Sequence, residues 1–284
     1  TTVQENIGKV KNAGVEVNMS YTVFSHAKDR SYLTLALRGA HNKNKVLKIS
    51  DSMKAYNERM DKEMLEGGKP VIKYYDGVSM NAIWAVPSLG IDPATGREIY
   101  RKKDGRSTFT YDVNDMVICG DNLPKLNGSF SINLGYKGLG FNMTCIYELG
   151  AKMFNQTLID RVENVDMHYN VDRRVLEGRW QNPGDVVRFR SLKSYWDPET
   201  QTYPRDVQTK ATSRFVQKKN ELNISSINIS YDFYRYAFVK QIGLERLSLA
   251  FYMNDVAKLS TIKTERGLAY PFARNYNFSL QMTF

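Results

Sequence analysis

The sequence lacks any long apolar run. Among its 284 residues there is no stretch of the roughly 18 apolar side chains that a transmembrane helix needs. The first ten residues, TTVQENIGKV, contain no apolar segment suited to a signal peptide. We therefore expect no membrane-spanning helix, and we expect either a cytosolic protein or a chain that begins partway through a longer one.

Cysteine and histidine are scarce, at two and three residues. None of them has the spacing of a metal or redox site, and scattered, solvent-facing histidines are the ordinary interpretation. No carboxylate pair and no Ser/His/Asp order has a context that supports catalysis. The sequence therefore predicts no metal, no cofactor and no enzymatic activity.

A basic stripe is also missing, although the formal net charge is +10. Lysine and arginine are dispersed between acidic residues, as in NERMDKEMLEGGK. No nucleic-acid recognition motif accompanies them. A solvated surface is favoured over a nucleic-acid partner.

What the chain has in quantity is alternation of apolar and polar side chains. In the closing segment NYNFSLQMTF, polar residues alternate with Tyr276, Phe278, Leu280, Met282 and Phe284. The pattern recurs at 14–24, 31–43, 128–137, 141–152, 222–234 and 247–257. This period of two predicts seven β-strands, each with one apolar and one largely polar face.

Such strands occur in two environments, and the lengths of the segments between the strands indicate which one applies here. In a soluble sandwich the apolar face points inward, whereas in a membrane barrel it meets lipid. The KGLG turn at 137–140 is short, but the segments at 44–127 and 153–221 are very long. Outer-membrane barrels have short periplasmic turns and long outer loops, and compact soluble domains rarely do. We predict an all-β, antiparallel transmembrane barrel whose long extracellular segments are 44–127 and 153–221.

Seven strands cannot close a water-filled barrel, because open sheet edges are not tolerated in lipid. We therefore expect part of a larger barrel, in which the last strand pairs with the first. The terminal aromatic residue would sit in the girdle at the membrane surface. The polar face would line a wet lumen with Asn18, Asn133, Asn228 and Asn277.

Five stretches in order resemble one known family. They are NIGKVKNAGVEV at 6–17, LGIDPATGREIYRKKDG at 89–105, GDNLPKLNGSFSINLGYKGLGFNM at 120–143, RWQNPGD at 179–185, and the terminal strand. On them, residues 1–284 resemble the C-terminal barrel portion of a SusC/RagA-type TonB-dependent outer-membrane transporter, without its N-terminal plug and early strands. Gly128-Ser129 and Leu139-Gly140 depart from the family pattern.

The resemblance implies the C-terminal strands of a plugged barrel of about 22 strands. It implies a nutrient importer in the outer membrane of a Gram-negative cell, with glycan oligosaccharides as the usual substrates and peptides in some members. The implied partners are a SusD-like surface lipoprotein, the TonB–ExbB–ExbD complex acting through the absent plug, and outer-membrane lipid. The barrel-assembly machinery would read the terminal strand, with Tyr276, Phe278, Leu280, Met282 and Phe284 as its signal.

Large aromatic residues in the long segments are the candidates for contact with substrate or with the lid. Flat rings suit stacking on sugars and also suit protein interfaces, although packing of the loops on themselves explains them equally well. The candidates are Tyr74, Tyr75, Trp84, Trp180, Tyr195, Trp196 and Tyr203. Residues 53–65 predict a short helix packed on the outer loops.

Two other functions remain open from the sequence. One is a passive porin or structural outer-membrane barrel, which an upstream plug and TonB-contacting segment would exclude. The other is a soluble, secreted β-rich domain for glycan binding or adhesion, which would need no detergent.

Overall fold

A computed structural model describes residues 8–67, 70–165, 170–192, 209–263 and 273–284. Its strands are β1 (Gly8–His26), β2 (Ser31–Ile49), β3 (Ala82–Ala85), β4 (Ser88–Ile91), β5 (Glu98–Arg101), β6 (Ser107–Thr108), β7 (Val117–Asp121), β8 (Leu126–Tyr136), β9 (Leu139–Phe154), β10 (Val216–Asp232), β11 (Arg246–Ser260) and β12 (Tyr276–Thr283). Its helices are α1 (Asp51–Gly67), α2 (Gln156–Leu158), which continues as a π-helix over Ile159–Glu163, and α3 (Ala237–Gln241).

The chain divides into two compact units, and each is described by itself. The strand unit comprises Ala13–Asn42, Pro124–Ala151 and Lys219–Phe284. The loop unit comprises Thr1–Asn12, Lys43–Leu123 and Lys152–Lys218. The loop unit therefore contains most of both long segments that the sequence sets apart.

The strand unit is built on one sheet of seven strands, in the order β1-β2-β8-β9-β10-β11-β12. The pairs β2–β8, β8–β9, β10–β11 and β11–β12 are antiparallel. All seven predicted strands are present, which confirms the antiparallel all-β prediction. Within the described residues the sheet is open, with β1 and β12 as its edges.

A two-residue turn joins β8 to β9. Lys137 and Gly138 have φ angles of 50° and 101°, and Tyr136 pairs with Leu139 across the turn. Two successive positive φ values define a type I′ turn, whose twist matches that of the flanking strands. The KGLG segment therefore forms the tight hairpin that the sequence predicts.

Helix α1 and five short strands form the loop unit. β3 pairs with β7, and β4, β5 and β6 form a small separate sheet. α1 begins after Ser50, whose hydroxyl accepts a hydrogen bond from the backbone N–H of Met53. It covers the predicted helix at 53–65. Among the described residues, no helix has both the length and the apolar character needed to cross a membrane.

Two small hydrophobic cores hold the loop unit together. One consists of Val86, Met116 and Ala211, with Trp84 and Tyr111 among the side chains packed against it. The other consists of Leu158, Ile159, Val162, Phe189 and Phe215. Each core combines residues distant in sequence, so neither long segment is a structureless loop.

Candidate functional site

One face of the seven-stranded sheet is a continuous apolar surface. The register places Leu249 beside Leu280. Apolar side chains are also register partners within β2, β8 and β9 and within β10, β11 and β12. These pairs are Leu35–Ile132, Leu37–Phe130, Ile132–Met143, Leu134–Phe141, Ile229–Phe251, Leu247–Met282 and Phe251–Phe278. Many of these side chains are exposed, and Leu280 keeps 59% of its surface. The apolar rows are thus not buried together in a closed interior.

The opposite face is polar in the same register. Thr34 and Asn142 are the partners of Asn133 on the neighbouring strands. Further pairs on this face are Ser131–Thr144, Asn228–Tyr252, Tyr252–Asn277 and Ser248–Gln281. Three of the four predicted lumen asparagines therefore occupy one face, opposite the leucines. Asn18 alternates with the apolar residues of β1 in the same way.

A chain of charges connects β9, β10 and β11. The ammonium nitrogen of Lys219 lies 2.6 Å from a carboxylate oxygen of Glu148 and 3.9 Å from one of Glu221. Glu221 in turn lies 2.7 Å from the ammonium of Lys258. By the register with β8, Glu148 is opposite Asn127 and shares the polar face with Asn142. These four charges alternate in sign, so neighbouring charges attract one another.

The two faces of the sheet suit two different surroundings. A sheet with exposed leucines on one side and amides and hydroxyls on the other is stable where hydrocarbon meets the first face and water the second. The terminal strand shows the contrast most sharply, since Phe278 is 74% exposed and its neighbours Asn277 and Ser279 are polar. Four residues of the predicted assembly signal lie on this strand, Tyr276, Phe278, Leu280 and Met282, and the fifth, Phe284, follows it. All five are exposed.

Two of the predicted contact aromatics, Tyr75 and Trp84, come together in the loop unit. The rings of Tyr75 and Trp84 lie 5.0 Å apart. The nearly buried ammonium of Lys73 lies 5.5 Å from the first ring and 5.6 Å from the second, and Asp61 pairs with it at 2.5 Å. Such cation–π contacts fix ring orientation. Sequence reasoning did not single out Lys73.

Helix α1 holds the backbone of Tyr74 in place. Asn57 of α1 donates to the carbonyl of Tyr74 at 2.6 Å and accepts from its backbone N–H at 3.0 Å. Tyr74 also lines an apolar cavity of about 420 Å³, together with Val46, Ile49, Met53, Tyr56 and Met80. Helix α1 therefore holds the chain beside the Tyr75–Trp84 pair, here called the Tyr75–Trp84 cluster, through Asn57 and through the Asp61 ion pair with Lys73.

Trp180 has a different environment. Its indole N–H donates to the carbonyl of Pro93 at 2.8 Å, and the N–H of Gly184 donates to the same oxygen at 2.8 Å. A Cβ on Gly96 would lie 2.5 Å from the indole ring. The GIDPATGRE and RWQNPGD stretches are therefore docked on each other. Tyr195, Trp196 and Tyr203 lie outside the described residues.

A buried ion network was not predicted. The Arg214 guanidinium lies 2.8 Å from a carboxylate oxygen of Glu98, and it also pairs with Glu163, which is fully buried. Burial lowers the pKa of Arg214, but the facing carboxylates outweigh it and hold the pKa above its ordinary value. Glu163 also lies 3.4 Å from the guanidinium of Arg190, so this buried carboxylate faces two arginines.

No protein-family model matches the chain. The TonB-dependent receptor P39 of Formosa agariphila is 22% identical over 305 residues, covering 90% of this chain and 27% of that protein. A solved structure titled as the RagAB peptide importer in the open-open state has a TM-score of 0.70 at 16% identity, covering 99% of this chain and 29% of its own.

The chain has the fold of part of a SusC/RagA-like TonB-dependent transporter barrel. A second solved structure, titled as the RagAB peptide transporter, has a TM-score of 0.66 at 14% identity. It is covered over 27% of its length, while 92% of this chain takes part. The chain thus spans between a quarter and a third of the length of these relatives.

Proposed function

We propose that this chain forms part of the wall and the outer loops of an outer-membrane, TonB-dependent nutrient importer. The observation that carries the proposal is the registered pair of sheet faces, apolar and exposed on one side, polar on the other. A passive barrel would share the faces, but the TonB-dependent receptor and RagAB relatives favour an energised importer.

In this proposal the loop unit meets cargo and the polar face guides it inward. The Tyr75–Trp84 cluster offers ring surface to a substrate or to a lid protein. Hydroxyls and amides such as Asn133, Asn228 and Tyr252 then exchange hydrogen bonds with water or cargo along the wall. The partners that the resemblance implies complete the cycle: a SusD-like lipoprotein outside, TonB–ExbB–ExbD acting through the plug, and the barrel-assembly machinery at β12.

Glycan oligosaccharides and peptides are the two candidate substrate classes. Glycans are the usual cargo implied by the family resemblance, and flat rings suit sugar faces. Peptides are favoured by the solved neighbours, which are titled as a peptide importer and a peptide transporter. Both classes carry the hydrogen-bonding groups that a polar wall accommodates.

The test uses the full-length protein purified from outer membranes. We expect it to need detergent and to migrate faster on a gel before boiling than after, as a folded membrane barrel does. Uptake of labelled oligosaccharides and peptides is then measured in cells with and without TonB. Uptake independent of TonB would support a passive porin, and a protein soluble without detergent would support a secreted β-rich domain.

A further inference from the structure

Arg214 is a point at which distant parts of the loop unit meet. Its guanidinium donates to both carboxylate oxygens of Glu98, at 3.2 and 2.8 Å. It also donates to Glu163 and, at 2.8 Å, to the carbonyl of Arg188. The side chains of Arg214, Glu98 and Glu163 are 8%, 4% and 0% exposed. The charges are therefore almost completely removed from water.

The ion pairs cross between the two long segments. Glu98 belongs to the first of these long segments, Lys43–Leu123 of the loop unit, while Glu163 and Arg214 belong to the second, Lys152–Lys218. Thr212 of the second segment donates its hydroxyl proton to Glu98 at 2.8 Å. One carboxylate of the first segment is thus satisfied by groups of the second.

Backbone bonds reinforce the same junction. The N–H of Val86 donates to the carbonyl of Ala211 at 3.2 Å, and the N–H of Ser213 donates to the carbonyl of Val86 at 2.9 Å. The N–H of Ser88 donates to the hydroxyl of Ser213 at 2.9 Å. The contact is therefore a short strip of β-like pairing with the buried ion pairs beside it.

A junction of buried ion pairs favours two states, fully closed and fully separated, and disfavours partly separated ones. Pulling the segments apart by a few ångströms leaves unpaired charges in a dry environment, which is strongly unfavourable. Only full separation lets water replace the lost partners. We propose that the Arg214 network makes the two long segments one cooperative body, so that a ligand or partner that displaces either segment displaces both.

Hydrogen exchange on the full-length protein in detergent tests this proposal. In Arg214→Met, we expect amide exchange to accelerate at least about 100-fold in both 82–101 and 153–165, because the carboxylates of Glu98 and Glu163 both lose their ion pair with Arg214. The control is Arg173→Met, since Arg173 and Glu177 form an exposed pair in the same unit. We expect unchanged exchange in the control.

A second variant decides the matter even if Arg214→Met does not fold. Glu98→Gln keeps the side-chain shape and removes one charge from the first segment only. We expect faster exchange at 209–218 and 153–165, in the second segment. Acceleration confined to 82–101 would overturn the proposal, as would an Arg214→Met effect confined to the second segment. The gel shift on boiling reports barrel folding separately, so a failed barrel is not mistaken for a loosened loop unit.

Discussion

Phe251 and Phe278 are register partners on β11 and β12, and their ring centroids lie 5.2 Å apart. The pair lies on the open apolar face, where Phe278 is largely exposed. In water, a ring left outside a core gives up most of the free energy that its burial would supply. If hydrocarbon covers the pair, both rings are removed from water and this free energy is recovered.

A charge on the apolar face should destabilise the barrel far more than a charge on the polar face. Leu280 faces Leu249, and the adjacent Ser279 faces Ala250. We expect Leu280→Arg to cost about 2–4 kcal/mol near the bilayer midplane, and Ser279→Arg to cost much less. The measurement is the urea dependence of the unboiled, fast-migrating gel band. Equal losses for the two variants would contradict the assignment of faces.

Removing the indole donor of Trp180 should loosen the docked stretches. Trp180→Phe keeps an aromatic ring but loses the hydrogen bond to the Pro93 carbonyl. We expect a local loss of about 1 kcal/mol, seen as faster proteolysis within 89–105 and 179–192. Unchanged cleavage would mean that ring packing alone holds the contact.

A methyl group at Gly96 should disturb this contact more than one at Gly105. Both glycines have positive φ, 71° and 90°, so alanine is strained at each. Only at Gly96 would the new carbon meet the Trp180 ring, because nothing lies within 4 Å at Gly105. The difference between Gly96→Ala and Gly105→Ala in protease sensitivity therefore measures the clash. Equal sensitivity would contradict the close approach.

Tyr75 should affect cargo binding if the proposed function is right. Tyr75 and Phe109 are similarly exposed, at 36% and 39%, and both lie in the loop unit. Tyr75→Ala removes a ring next to Trp84, so we expect affinity for the transported oligomer to fall about three- to tenfold. Phe109→Ala should leave the affinity unchanged. Similar losses in both variants would argue against a specific role for Tyr75.

Acidification should weaken the turn at Asp92. The hydroxyl of Thr95 and the N–H groups of Ala94 and Thr95 lower the pKa of Asp92 below its ordinary value of 3.8. A lowered pKa in the folded state stabilises the turn above pH 3.8, and this contribution is lost as the pH falls through the folded value. We expect the protection of amides within 89–98 against hydrogen exchange to fall as the pH drops through the folded pKa of Asp92. Asp92→Asn should abolish that pH dependence, and its persistence in the variant would assign it to another carboxylate.

The sequence predicted the strands well and their ends poorly. The alternation located β1 from residue 14, but the strand begins at Gly8. Between them lie Lys9, Val10, Lys11 and Asn12, where no apolar row marks a face. A strand of 19 residues spans about 60 Å, more than the hydrocarbon thickness even when tilted. The alternation of apolar and polar residues arises where one face of a strand meets lipid. It is therefore absent where both faces meet water.

The loop unit was the less predictable half of the chain. α1 was visible because its apolar residues recur at helical spacing. The pairing of Trp180 with Pro93 and of Arg214 with Glu98 joins residues 87 and 116 positions apart. No local pattern encodes such contacts, since a charged or aromatic residue in a long polar segment reads the same whether it ends up buried or exposed. The family resemblance of the RWQNPGD and GIDPATGRE stretches marks both as distinctive, but it does not indicate that they contact each other.

The matching of like side chains across β11 and β12 also has a consequence for assembly. If β12 slid by one residue along its neighbour, Leu280 would turn toward water and Gln281 toward the oily side. Every row of the strand would be reversed at once. A misaligned strand would place polar side chains in lipid and apolar side chains in water along its whole length. The lipid and the water therefore select the correct register together, and no single contact has to do so.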